Sequence, residues 1–182
     1  LYLFTLLGGL AAGTYVFETC FCRKREGSRP WLVPLVVVVL FTVGLVAAMT
    51  HISSIPRAID VVFAGMVNFG AGMTQEVLVA ACFLVLALID LVITFVRKDS
   101  PFVLRVITAV AALTCIVMMG FAYVEVLGVP AWTNAPATIL AFLCGDLAMG
   151  LGLYAVLGGA SFAENKTLRI AGLAVNAALA VA

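Results

Sequence analysis

Polar residues cut this chain into long apolar stretches, and those stretches set its architecture. Apolar runs occupy residues 1–22, 31–51, 73–96, 102–127 and 137–160, and another begins at residue 170. Between them lie Arg23-Lys24-Arg25-Glu26-Gly27-Ser28-Arg29-Pro30, a mixed stretch over 52–72, Arg97-Lys98-Asp99-Ser100-Pro101, a turn over 128–136, and Glu164-Asn165-Lys166. A helix needs about 20 apolar residues, at 1.5 Å each, to cross a bilayer. The runs are continuous and lack the apolar–polar alternation of a membrane β-barrel. The pattern therefore predicts an all-α, polytopic transmembrane helical bundle with five complete spans and part of a sixth. The first run begins at Leu1 with no basic segment before it, and the last stops at Ala182. The expectation is a single integral membrane domain over residues 1–182, truncated at both ends.

Composition narrows the function classes. Of the 182 residues, 65% are hydrophobic and 10% charged, and the mean hydropathy is +1.24. A soluble domain is about 45–50% apolar and about 25% charged. A solvated globule and a disordered chain are both excluded. A net charge of +1 offers no basic patch for nucleic acid, so the surrounding partner is membrane lipid.

Charge also sets orientation. Nine of the ten basic residues fall on the first, third and fifth connections, and Arg57 is the exception. The positive-inside rule makes those odd-numbered connections cytoplasmic. The chain start, residues 52–72 and the 128–136 turn then face outside, and the expected location is a bacterial cytoplasmic (inner) membrane.

Cofactor ligands are scarce. His51 is the one histidine, so a haem held by two histidines of this chain is not expected. The five cysteines contain no C-x-x-C pair, which argues against an iron–sulfur cluster or any other metal ligand set.

The acids inside the runs are more informative, because a charge at the bilayer centre costs roughly 2.5–3.5 kcal/mol. They are Glu18, Glu76, Asp90, Glu125 and Asp146. Glu18 lies close enough to the basic boundary to reach Arg23 or Lys24, and Asp90 sits two turns from Arg97. Glu125 is at the outer end of its span. Asp146 is near mid-span. Glu76 begins the third span and shares a helix face with Val79, Ala80, Phe83, Ala87 and Asp90. His51 ends the second span on the same outer side, where Arg57 is the one basic residue. A histidine, an arginine and a glutamate in one layer suit a lipid-soluble molecule with two hydroxyls. Its ring would lie among apolar side chains while His51 and Glu76 accept protons. That describes a quinol, whose electrons must leave to a partner subunit. The alternative is a polytopic transporter or proton channel that uses Glu76, Asp90 and Asp146. A purely structural anchor is the third reading.

The stretch His51-Ile52-Ser53-Ser54-Ile55-Pro56-Arg57-Ala58, followed by Thr74-Gln75-Glu76, resembles the membrane anchor subunit of dimethyl sulfoxide reductase, the DmsC type. That family sits among the broader NrfD and polysulfide-reductase-type anchors. Its pattern is His-Leu-Gly-x-Pro-x-Arg-Ala, then a glutamate early in the next span. Val129-Pro130-Ala131-Trp132 is similar to the family's Val-Pro-Thr-Trp. Ser53 stands where the motif has glycine, Pro56 is shifted by one, and the Arg57-to-Glu76 spacing is longer. The resemblance implies about eight spans in a full chain and a site for menaquinol binding and oxidation at His51, Arg57 and Glu76. It also implies two partners, a four-cluster iron–sulfur subunit on the outer face and a molybdopterin catalytic subunit.

Overall fold

The computed structural model describes residues 2–22, 25, 29–50, 60, 63–125, 129, 132–157 and 166–181. Among them the chain forms helices and no strand. These are α1 (Tyr2–Phe21), α2 (Leu32–Met49), α3 (Gly72–Arg97), α4 (Phe102–Val124), α5 (Ala135–Leu157) and α6 (Lys166–Val181). The first five are long and apolar enough to cross a membrane. They match the five runs predicted from sequence to within three residues at nearly every boundary. The sixth starts at Lys166, four residues before the apolar run does, because a helix continues through polar residues that an apolar count leaves out.

The helices do not contribute equally to the core. Two-thirds of the α1 span is buried, against about one-third of α2 or α3. α1 packs on α2, α4 and α5 together, while α3 closes against α2 and α4, and α6 lies on α5. The sequence of α1 explains its central place. Gly8, Gly9, Ala11, Ala12 and Gly13 keep its surface narrow, and all five are buried. Without a hydrophobic force between helices in lipid, close packing of small residues is what draws them together. At the α1–α5 crossing, Gly13 meets the backbone at Asp146 and Gly150, and Gly150 meets the backbone of Gly13 and Thr14. Any side chain there would run into main chain. Gly152, one turn from the same helix's end, faces open space.

Rings fill the middle of the bundle. Phe41 and Phe83 meet edge to face with centroids 4.8 Å apart, and Tyr15 meets Phe83 at 6.0 Å. All three are fully buried, together with Ile116 and Met119. Trp31 stacks on Phe95 at 5.4 Å. With Phe41 on Phe83 at mid-length, that contact shows α2 and α3 to be antiparallel. The α1–α2 and α3–α4 connections, which carry Arg25, Arg29, Arg97 and Lys98, therefore lie at one end of the bundle, here the basic end. The C-terminus of α2 and the N-terminus of α3 lie at the opposite end.

Candidate functional site

At the basic end, Arg25 turns back into the protein instead of out to water. Its Nε and Nη2 donate to Glu18 Oε1 and Oε2 at 2.7 and 2.9 Å. Its Nη2 and Nη1 donate to Asp90 Oδ2 and Oδ1 at 2.7 and 3.1 Å. The same Nη1 reaches Thr94 Oγ1 at 2.7 Å and Ser100 Oγ at 3.2 Å, and Ser100 Oγ donates in turn to Asp90 Oδ1. One planar guanidinium thus joins the end of α1 to the end of α3 and to the turn leading into α4. Its fork geometry suits two carboxylates in a way a lysine would not. Burial works against the charge on Arg25, but the hydrogen bonds and charges of Glu18, then Asp90, outweigh it and hold its pKa above the ordinary arginine value.

Arg105 completes this end. It is fully buried and donates to the main-chain oxygens of Glu18, at 3.3 Å, and Cys22, with Asp99 Oδ1 at 4.0 Å. The last carbonyls of a helix have no partner within it, and a cation there also meets the negative end of the helix dipole. Arg105 is therefore a cap for α1 delivered by another helix. Sequence reading gave Glu18 a different partner, Arg23 or Lys24, and gave Asp90 Arg97. The structure assigns both acids to Arg25. Two acids approaching the same boundary from different spans was the available signal. The fold of the connection that brings Arg25 between them was not visible in the sequence.

The other three acids sit elsewhere. Glu125 is exposed at the end of α4, and its carboxylate lies beside Gly72, the first residue of α3. A negative charge favours the N-terminal end of a helix dipole, which accounts for Glu125 without chemistry. Asp146, near the middle of α5, is only 5% exposed. Its carboxyl rests on Gly9 of α1, close enough that a methyl group at Gly9 would collide with it. Its Oδ2 has no hydrogen-bond partner among the described residues. Cys115 is buried on α4.

Glu76 is on the second turn of α3 and 7% exposed. It is at the end opposite Arg25, and among the described residues it makes no ion pair. The buried face of α3 runs Glu76, Ala80, Phe83, Ala87, Asp90, as the fourteen-residue spacing predicted. Along that face, Ala80, Phe83 and Ala87 separate Glu76 from the Arg25 cluster. His51 and Arg57, the other two residues of the predicted trio, lie outside the described residues. Met49, two residues before His51, ends α2 at the same end of the bundle where α3 begins. No group of three metal-ligating side chains occurs among the described residues.

The profile of the DMSO reductase anchor subunit (DmsC) family matches residues 1–182. The chain belongs to that family. It is a multi-pass membrane protein, the membrane anchor subunit of a DMSO reductase-like complex that also holds catalytic and iron–sulfur subunits. No curated protein and no solved structure gives a significant match. Glu18 and Asp90 are consumed by packing, whereas Glu76 stands at the end where the motif residues begin.

Proposed function

We propose that this anchor subunit binds menaquinol at the bundle end opposite Arg25, oxidises it, and passes the electrons to an iron–sulfur partner. The observation that carries the reading is Glu76, a buried acid without a cation among the described residues, at the end where α2 delivers the chain to His51. Removing two electrons from a quinol also releases two protons. In a site that excludes water those protons need local bases. Glu76 serves as one and His51, whose unperturbed pKa of about 6.5 suits exchange near neutrality, as the other. Arg57 holds a quinol oxygen or orients the carboxylate. Asp90 is committed to Arg25, which leaves a transmembrane ion path without one of its three acids.

The same reading sets orientation and partners. The basic end faces the cytoplasm of a bacterium and the quinol end faces outward. A four-cluster iron–sulfur subunit docks on that outward face, and a molybdopterin subunit reduces the terminal acceptor. This subunit contributes no haem.

The test compares two electron donors in membranes holding the assembled complex. Glu76→Gln and His51→Ala should each lower menaquinol-driven turnover by about 10²–10⁴, the usual loss for a proton-transfer group. Turnover driven by a reduced viologen, which feeds the partner subunits directly, should persist. Wild-type menaquinol activity in both variants would make these residues structural. Equal loss with both donors would make them assembly residues.

A further inference from the structure

The described part of the α2–α3 connection exposes apolar side chains that lipid does not explain. Phe63, Met66 and Phe69 lie there at 87, 74 and 64% exposure, and Met73, in the first turn of α3, is 70% exposed. Every other large apolar residue that is exposed among the described residues belongs to one of the six helices. On a membrane-spanning helix such exposure meets hydrocarbon. Here the backbone rules that out, because residues 66–71 are not helical and Gly65, Asn68 and Gly70 are exposed. Irregular backbone facing lipid does not occur within the hydrocarbon region, where its N–H and C=O groups would go unpaired. The segment therefore lies beyond the hydrocarbon, at the end of the bundle where α3 begins. It carries its own hydrogen bonds. Ala64 N donates to Asp60 O at 2.8 Å, Gly65 takes a left-handed φ of 67°, and Gly70 N donates to Asn68 Oδ1 at 3.0 Å. Gln75 Nε2, from the first turn of α3, donates to Phe69 O at 3.1 Å and ties that main chain to the helix.

We propose that residues 63–73 are a docking surface for the iron–sulfur subunit of the complex, with Phe63, Met66, Phe69 and Met73 seated in an apolar recess of that partner. The inference rests on the reading that the electron acceptor sits over the quinol end, and it adds the surface that holds the acceptor there. Composition favours a protein over lipid headgroups. Trp and Tyr are the usual interfacial anchors, and Lys and Arg are drawn to anionic lipid. Residues 63–73 contain none of these four. Phe and Met are enriched where proteins meet, and Lys is depleted. Charge agrees, since Asp60 and Glu125, the exposed charged residues described at this end, are both acidic. They disfavour an anionic headgroup layer and suit a recess rimmed by Lys or Arg. Position then selects the partner. A subunit that receives electrons from beside Glu76 must lie over the segment leading into α3, and the family's complex supplies an iron–sulfur subunit. A turn already held by Asn68 and Gln75 loses little conformational freedom on docking.

Cross-linking within the assembled complex is the test. A benzophenone amino acid in place of Phe69, in membranes holding the whole complex, should give a photoproduct with the iron–sulfur subunit, identified by its peptides. The same probe in place of Val110, exposed on α4, should give lipid adducts. Phe69→Ser combined with Met66→Ser should lower the iron–sulfur subunit retained on washed membranes by about tenfold relative to the anchor, a common loss when a seated aromatic is truncated. Viologen-driven turnover should move into the wash with it. Glu76→Gln should retain the partner and lose menaquinol turnover. Adducts at position 69 confined to lipid, to this chain or to the catalytic subunit would overturn the docking surface, and so would wild-type retention in the double variant. Either result, beside a Glu76→Gln variant inactive with menaquinol, leaves the quinol site standing. A partner cross-link at position 69 with full menaquinol activity in Glu76→Gln would overturn the quinol site and leave the surface standing. Where the double variant lowers the amount of anchor itself, the photoproduct decides.

Discussion

The two ends of the bundle treat buried charge in opposite ways. At the basic end two acids meet one guanidinium, with Thr94 and Ser100 filling the remaining positions around it. At the other end Glu76 is buried with no ion pair, and Asp146, deeper in, has an oxygen without a hydrogen-bond partner, both among the described residues. The first arrangement ties three segments together and has no group left over for chemistry. The second leaves its acids buried without a cation among the described residues. A buried acid in a membrane helix is therefore informative only once its partner is known.

The comparison breaks most forcefully at Arg25. Arg25→Ala strands Glu18 and Asp90 as buried carboxylates, and removing one side of such a pair costs about 3–5 kcal/mol. Both menaquinol- and viologen-driven activities should fall with the amount of assembled complex, read as subunit retained in membranes. Adding Glu18→Gln and Asp90→Asn to that variant should recover part of the yield, since the stranded charges are then gone. The opposite end should respond the other way. Glu76→Gln should leave the yield intact and remove menaquinol turnover alone.

Smaller effects separate packing from chemistry along α5. Gly150→Val places side-chain atoms in the α1 backbone and should cost about 1–3 kcal/mol by overpacking. Gly152→Val faces open space and should stay within about 0.5 kcal/mol, as surface changes usually do. Detergent-melting midpoints of the two variants give the contrast directly. The smallest effect concerns pH. Because the pKa of Arg25 is raised, its contribution is complete below the unfolded value and is lost only above the still higher folded one. The melting midpoint should therefore show no loss attributable to Arg25 between neutral and mildly alkaline pH.

Hydropathy alone determined the five spans and their number, because hydrocarbon admits only segments that satisfy their own backbone and are long enough to cross. The face shared by Glu76, Phe83 and Asp90 followed from the helical repeat. The short pattern at His51, Arg57 and Glu76 was enough to suggest the family. Tertiary structure decided what each acid is for. The sequence put Asp90 two turns from Arg97 and Asp146 near mid-span, but it did not show which of the two would gain a partner. Asp90 is neutralised because a connection folds Arg25 back between α1 and α3. Asp146 keeps an oxygen without a partner among the described residues, where α1 meets it with glycine. Such differences arise between helices distant in sequence, where neither period nor composition carries information.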